Sequence, residues 1–172
     1  LALYNGAEHE AAQLDSIAAQ DHPNWRLVVS DDGSSDAGPA IVQEFAARFQ
    51  AGQVSLISGP TAGAPRNFLS MMALPEGDEY LSLADQDDVW RPDKLGRALT
   101  ALRTRPEAGL YSACTTICDA ELTPLAGSLR FAGPFDFRNA LVQAVTAGNT
   151  CVLTPAAIRL ARQAAPAAME IG

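Results

Sequence analysis

The sequence predicts an α/β fold with a mostly parallel sheet and helices on both of its faces. Two observations lead to this prediction. Strand-like apolar runs alternate with helix-like segments four times over the first 105 residues, and polar or acidic turns follow the runs. Such alternation is typical of parallel sheets whose crossover helices cover both faces. At 172 residues, 48% of them hydrophobic, the chain is long enough for one domain with a real core.

The first four strand–helix units are predicted from apolar periodicity and turn residues. They comprise strand 1–4, helix 5–20, strand 27–29, helix 39–49, strand 54–57, helix 66–73, strand 80–84 and helix 92–102. Asn5, three residues before Glu8, predicts a capping box at the start of the first helix. Pro39 and Pro92 predict the starts of the second and fourth helices, because proline is favoured in a first helical turn.

The second part of the chain predicts a smaller antiparallel element in the C-terminal half. Its predicted elements are strand 109–118, a turn over 119–124 into a short returning strand, an aromatic loop over 131–137, helix 139–145, strand 151–153 and helix 155–164. Thr154 before Pro155 predicts the N-terminus of the last helix.

Composition excludes several classes of protein. The net charge of −8 is opposite to the basic surface that nucleic acids require, so no nucleic-acid partner is expected. No apolar run reaches the roughly 20 residues that cross a bilayer, so no transmembrane segment is expected. The three cysteines lack C-x-x-C spacing, and we expect free thiols in a reducing cytoplasm.

The first acidic cluster is Asp85-Gln86-Asp87-Asp88, directly after the fourth predicted strand. Ligands of parallel α/β sheets bind beyond the carboxyl ends of the strands. Carboxylates two residues apart can converge there on Mg²⁺ or Mn²⁺, which favour oxygen ligands and retain positions for phosphate oxygens. The cluster alone is equally typical of a solvated acidic loop that caps the next helix.

The second acidic cluster follows the second predicted strand. Asp31 or Asp32 could accept hydrogen bonds from a nucleobase or a ribose hydroxyl, although residues 33–36 also form an ordinary turn signal. Arg66 opens the third predicted helix, where it could reach a phosphate with help from the helix N-terminus. A solvated surface arginine is the alternative interpretation.

Four segments taken together resemble the family 2 glycosyltransferases, which have a Rossmann-like GT-A fold and include bacterial rhamnosyltransferases and related enzymes of cell-surface polysaccharide synthesis. The segments are Leu3-Tyr4-Asn5-Gly6, Ser30-Asp31-Asp32-Gly33-Ser34-Ser35-Asp36, Arg66-Asn67-Phe68, and Ala84-Asp85-Gln86-Asp87-Asp88-Val89-Trp90 with Pro92-Asp93-Lys94-Leu95. They occur in the expected order, and the resemblance covers most of residues 1–165.

The resemblance implies a nucleotide-binding role for several matching residues. Tyr4 and Asp32 would contact the nucleobase with Asp31 close by, and Arg66 would lie near the donor diphosphate. Gln86 would also belong to the donor-binding set.

The resemblance also implies a divalent cation, Mg²⁺ or Mn²⁺, as cofactor. Asp87 would be its main ligand, with Asp85 and Asp88 beside it. Asn149 and Thr150 would lie beside the donor sugar.

A single GT-A-type domain over residues 1–172 is implied, with a nucleotide-binding half at 1–105 and an incomplete acceptor-side half at 106–172. The implied reaction is metal-dependent, inverting transfer of a sugar from a nucleotide-sugar, dTDP- or UDP-linked rather than GDP-linked, to a saccharide or lipid-linked acceptor. We expect residues before Leu1, and the family's catalytic base beyond Gly172. The expected location is the cytoplasm, including a peripheral position at the inner face of the cell membrane.

Two other functions are open on the sequence alone. Asp85-x-Asp87-x-Val89 matches the pattern of haloacid-dehalogenase-like phosphatases, but Lys94, the only lysine, is too close to serve as that family's separate lysine element. A non-catalytic nucleotide- or glycan-binding module would retain both acidic clusters and transfer no sugar.

Overall fold

The computed structural model of the protein describes residues 1–129, 133, 135 and 146–171. The strands are β1 Ala2–Leu3, β2 Leu27–Asp31, β3 Val54–Ser58, β4 Leu81–Ser82, β5 Leu110–Tyr111, β6 Thr116–Cys118, β7 Pro124–Gly127 and β8 Val152–Leu153. The helices are α1 Glu10–Ala18, α2 Gly38–Ala46, α3 Ala64–Met71, α4 Lys94–Thr104 and α5 Pro155–Ile171, and a 3₁₀ turn spans Gly148–Thr150. No helix within these described ranges is both long and apolar enough to cross a membrane.

Strands β1, β2 and β3 form a parallel sheet in that order. The residues that follow β4 run along the other side of β1, where the Ala2 amide donates to the Ala84 carbonyl at 3.4 Å. Strand β8 pairs antiparallel with both β4 and β5, and β6 and β7 form a separate antiparallel hairpin. The predicted α/β fold with a smaller antiparallel element is therefore confirmed.

Helices cover both faces of the parallel sheet. Leu3 and Val29 point into the main core, where they join buried apolar side chains of α1 and α2. Ser30 follows Val29 in β2 and therefore points to the opposite face. There its hydroxyl donates to Asn67 Oδ1 of α3, its backbone carbonyl accepts from Asn67 Nδ2 at 2.8 Å, and both residues are buried. The crossover through α3 thus returns the chain over the second face to reach β4.

The predicted capping box at Asn5 is wrong. Asn5 has a positive φ of 49°, and its side-chain oxygen accepts from the Ser35 amide at 2.9 Å. The helix begins later, at Glu10, whose amide donates to the Gly6 carbonyl. The Asn5 side chain therefore connects two loops instead of capping α1.

The single strand predicted over residues 109–118 is also wrong. The segment divides into β5 and β6, because its first part pairs with β8 and its second part with β7. The helix predicted over residues 139–145 lies outside the described residues, as does nearly all of the aromatic loop predicted over 131–137.

Glu10 is an ionisable residue inside the core. Its side chain is 0% exposed, and neither carboxyl oxygen has a hydrogen-bond partner in the described part of the chain. Burial raises the pKa of Glu10 to about 7, because the ionised form loses its hydration. Between the ordinary pKa of 4.5 and a pH of about 7, Glu10 is therefore protonated in the folded state and ionised in the unfolded state.

We expect the contribution of Glu10 to stability to fall as pH rises from the unfolded pKa through about 7. Between pH 5 and pH 8 the unfolding free energy of the wild-type protein should therefore fall by about 2 to 3 kcal/mol more than that of Glu10→Gln. Urea denaturation at both pH values measures this loss. Glu8→Gln, at an exposed position, is the control and should retain the wild-type pH dependence. An unchanged pH dependence in Glu10→Gln would show that Glu10 is not buried in this way.

Candidate functional site

The candidate site is the edge of the sheet where β1, β2, β3 and β4 end. Parallel strands present their carboxyl ends at one edge, so the loops that follow β1, β2 and β3 meet there. The acidic loop after β4 joins them through a contact with Tyr4. Both acidic clusters of the sequence therefore lie at the same edge.

The loop after β1 is fixed by two side chains from other loops. The Tyr4 amide donates to Gln86 Oε1 at 2.8 Å, and Gln86 Nε2 donates back to the Tyr4 carbonyl at 3.0 Å. The Asn5 amide donates to Ser34 Oγ at 2.9 Å, which ties this loop to the one after β2. The Tyr4 side chain remains 58% exposed at the edge.

Asp32 lies at the junction of the loops after β2 and β3. Its carboxylate accepts from the amides of Gly63 at 2.7 Å and Ala62 at 3.4 Å, and only 8% of the residue is exposed. Asp31 is half-buried and accepts from the Ser34 amide at 3.0 Å within its own turn. Asp32 therefore holds the loop over residues 59–63, whereas Asp31 shapes a local turn.

Arg66 lies in the first turn of α3, as the sequence predicts, and it is exposed. No hydrogen bond or salt bridge within the described ranges joins its guanidinium to the acidic loop after β4. The next residue, Asn67, points inward to Ser30 and anchors α3 on the sheet. Arg66 thus extends into solvent from a well-anchored helix.

The three carboxylates of the acidic loop are not equivalent. Asp87 is exposed and Asp85 is half-buried, and neither accepts a hydrogen bond from the described residues. Burial raises the pKa of Asp85, and the nearby charges of Asp88 and Asp87 raise it further. Asp88 differs from both because it accepts a short hydrogen bond from the Asn149 side chain.

Lys94 connects the acidic loop to the 3₁₀ turn. Its ammonium donates to the backbone carbonyl of Asn149 at 2.6 Å and lies 3.3 Å from the centroid of the Trp90 ring. Burial lowers the pKa of Lys94 to about 7, although the negative charges of Asp88 and Asp85 oppose this shift. Asn149 is thus held through its backbone by Lys94 and holds Asp88 through its side chain.

Thr150 is brought close to this group but faces inward. It is buried, and its hydroxyl donates to the Ala147 carbonyl at 2.7 Å within the same turn. The hydroxyl therefore stabilises the 3₁₀ turn. The neighbouring Asn149 supplies the side chain that reaches the acidic loop.

Two residues of the site have roles that the sequence interpretation missed. Lys94 belongs to a segment that resembles the family, but no role was predicted for it from the sequence, although a lone lysine six residues after Asp88, at a helix start, is a usable signal. Asp36 accepts from the amides of Ala7 and Gly38, both at 2.9 Å, and so fixes the start of α2 against the loop after β1. Nothing in its turn-like sequence indicates the contact with Ala7.

A divalent cation is compatible with this donor set, within limits. In the part of the chain that is described, no group of three His, Cys, Asp or Glu side chains is arranged as a metal cage. Mg²⁺ at phosphate sites commonly needs only one or two carboxylates, with water and phosphate oxygens as its other ligands. Asp85 and Asp87 supply two such carboxylates, and their crowding with Asp88 favours a cation.

The parallel sheet with helices on both faces and smaller antiparallel sheets has the architecture of the GT-A fold. Residues 2–154 match the family model of glycosyl transferase family 2. Because that match covers most of the chain, the protein belongs to this family. The match also favours a glycosyltransferase over a haloacid-dehalogenase-like phosphatase.

Bacterial relatives agree with this assignment. The protein is 34% identical over 118 residues to an uncharacterized protein of Mycobacterium tuberculosis, covering 67% of this chain and 32% of that protein. It is 32% identical over 109 residues to the dTDP-rhamnosyl transferase RfbG of Shigella flexneri, covering 59% of this chain and 36% of that one. The chain thus spans about a third of the length of these relatives.

Solved structures share the fold. The mannosyltransferase PcManGT from Pyrobaculum calidifontis, in complex with GDP-Man and Mn²⁺, superimposes with a TM-score of 0.60 at 27% identity, covering 67% of this chain and 34% of that one. TarS from S. aureus, in complex with UDP-GlcNAc, superimposes with a TM-score of 0.52 at 25% identity, covering 63% and 31%.

We expect Asp32 to contribute more to stability than its neighbour Asp31. Asp32→Ala should lower the unfolding free energy by about 2 to 3 kcal/mol, because the Gly63 and Ala62 amides lose a charged acceptor that is itself buried. Asp31→Ala, which removes one bond within a half-buried turn, should cost about 1 kcal/mol. Urea denaturation of the two variants tests the difference. Equal losses would contradict the assignment of Asp32 as the residue that holds residues 59–63.

Proposed function

We propose that this protein binds a nucleotide-sugar together with Mg²⁺ or Mn²⁺ and is the donor-binding part of a metal-dependent glycosyltransferase. The observation that carries the proposal is that the three carboxylates after β4 differ in their hydrogen-bond partners. Asp88 is held by Asn149, whereas Asp85 and Asp87 remain uncommitted among the described residues. Two available carboxylates at the carboxyl edge of the sheet suit a cation shared with a diphosphate.

The proposed binding mode follows the order of the loops around the edge. Asp87 and Asp85 would hold the cation, which would neutralise the diphosphate as it leaves. The exposed ring of Tyr4, with Asp31 and Asp32 beside it, would contact the nucleobase. Arg66 is free to swing towards the diphosphate, and the 3₁₀ turn with Asn149 and Thr150 would border the sugar.

The proposed reaction is inverting transfer to a hydroxyl of a saccharide or lipid-linked acceptor. The hydroxyl oxygen attacks the anomeric carbon, the bond from that carbon to the phosphate oxygen breaks, and a base takes the hydroxyl proton. Family membership and relatives named for polysaccharide synthesis, such as the amylovoran enzyme AmsB of Erwinia amylovora, support a role in cell-surface polysaccharides.

The nucleoside diphosphate of the donor is proposed to be dTDP or UDP. The name of RfbG supports dTDP, and the TarS complex supports UDP. The PcManGT complex contains GDP-Man, so GDP belongs in any test.

Calorimetric titration of dTDP, UDP and GDP into the protein, with Mn²⁺ and with EDTA, tests the proposal. We expect one nucleotide to bind at least about tenfold more tightly with Mn²⁺, a difference of about 1.4 kcal/mol. Asp87→Ala should abolish this difference, because it removes the exposed carboxylate proposed as the main ligand.

The matched control is Asp78→Ala. Asp78 is exposed and precedes β4, so it lies at the opposite end of the same strand from Asp87. This variant should keep the wild-type response to Mn²⁺. Absence of nucleotide binding by the folded wild-type protein, or equal binding with and without Mn²⁺, would overturn the proposal.

A non-catalytic binding module is the second candidate function. Titration alone does not distinguish it, because both candidates predict Mn²⁺-dependent binding. The full-length protein distinguishes them, since only a glycosyltransferase would release nucleoside diphosphate in the presence of an acceptor.

A further inference from the structure

Gln86 lies inside the acidic loop, between two residues proposed to bind the cation, yet its side chain faces the protein. Both polar atoms of its amide bond to Tyr4, with Oε1 accepting from the amide and Nε2 donating to the carbonyl. One side chain thus satisfies both backbone groups of Tyr4, as a neighbouring strand would. Beyond the last residue of β1, Gln86 takes the place of a further strand residue.

Gly6 leaves the space that this contact requires. A Cβ atom built on Gly6 would lie 2.7 Å from both Cδ and Oε1 of Gln86, closer than real Cβ contacts occur. The φ of Gly6 is not among the positive values of the chain, so alanine there meets no backbone strain. Gly6→Ala would therefore act mainly by displacing the Gln86 amide.

The contact joins the two sides of the proposed site. Tyr4 is the exposed aromatic side chain of the loop after β1, and Asp85 and Asp87 flank Gln86 in the loop after β4. The sequence separation between Tyr4 and Gln86 is 82 residues, so no local structure relates these loops. Two hydrogen bonds from one amide join the loops directly, two residues beyond the backbone contact between Ala2 and Ala84.

We propose that Gln86 is a positioning residue. Its paired hydrogen bonds set the position of the acidic loop relative to Tyr4, and the absence of a side chain at Gly6 leaves room for its amide. This inference rests on the proposed function. Gln86 acts through Asp85 and Asp87 on the cation and does not touch the nucleotide. Its loss should therefore weaken the effect of the cation on nucleotide binding and spare the binding that remains in EDTA.

The test uses Gln86→Met, which keeps the length of the side chain and removes both hydrogen bonds. The readout is the Mn²⁺ concentration that gives half-maximal binding of the nucleoside diphosphate that the wild-type protein prefers. We expect this concentration to rise about tenfold, the size expected for two partly exposed hydrogen bonds. Thermal melting should change little, because the contact lies at the surface.

Gly6→Ala tests the same contact from its other side. Alone it should reproduce the rise seen in Gln86→Met. In a Gln86→Ala background it should add less than about twofold, because the two closest atoms that the new methyl group meets are absent and only the Leu3 Cδ1 contact at 3.1 Å remains. Gln43→Met and Gly127→Ala are controls at an exposed glutamine and at a glycine with open space around its Cβ position.

The outcomes separate the two levels of inference. If the wild-type protein binds no nucleotide with Mn²⁺, the proposed function fails and this inference fails with it. If the wild-type protein binds but Gln86→Met has the wild-type Mn²⁺ requirement, only this inference is overturned. Equal losses with Mn²⁺ and with EDTA would also overturn it, because they would make Gln86 a direct nucleotide contact.

Discussion

The edge of this parallel sheet depends on side chains that replace missing backbone partners. Beyond the last residue of each strand the hydrogen-bond ladder ends, while the amides and carbonyls of the outgoing loops still require partners. Gln86 supplies both partners for Tyr4, Asn5 joins the loop after β2, and Asp32 accepts from Gly63 in the loop after β3. Because each bond connects loops of different strands, the four loops form one connected rim, and the shape of the candidate site follows from it.

The same rim determines which acidic groups remain available. Asp32 accepts a hydrogen bond from the Gly63 amide, Asp36 accepts one from the Ala7 amide, and Asp88 accepts one from the Asn149 side chain. These three carboxylates already accept hydrogen bonds that hold the loops, whereas Asp85 and Asp87 accept none from the described residues. The available negative charge is thereby concentrated at the end of β4, beside the half-buried side chain of Lys94. A cation with two carboxylate ligands suits this distribution better than one that requires a closed cage.

The sequence predicted the parts of the fold that depend on local pattern. The alternation of strands and helices, and the helix starts at Pro39 and Pro155, follow from periodicity and proline geometry and are confirmed. The start predicted at Pro92 is wrong, because the fourth helix begins two residues later, at Lys94. The capping box at Asn5 failed because a tertiary partner 30 residues away takes that side chain. The burial of Glu10 was also missed, since no periodic pattern marks a single carboxyl that enters an apolar core. Motifs located the acidic loops, but they did not identify the residues that hold them.

The acidic loop shows why its sequence alone left two interpretations open. A solvated loop would leave the side chains of Asp85, Gln86, Asp87 and Asp88 to water. Here Gln86 and Asp88 are bonded to partners 82 and 61 residues away, so the backbone is held on both sides of Asp87. Asp85 lies between Gln86 and Ala84, whose carbonyl accepts from the Ala2 amide. Because alternate residues are anchored, the remaining carboxylates cannot easily move apart. Their mutual repulsion is therefore maintained. A loop that keeps like charges together in this way gains more from a bound cation than a flexible acidic loop of the same sequence.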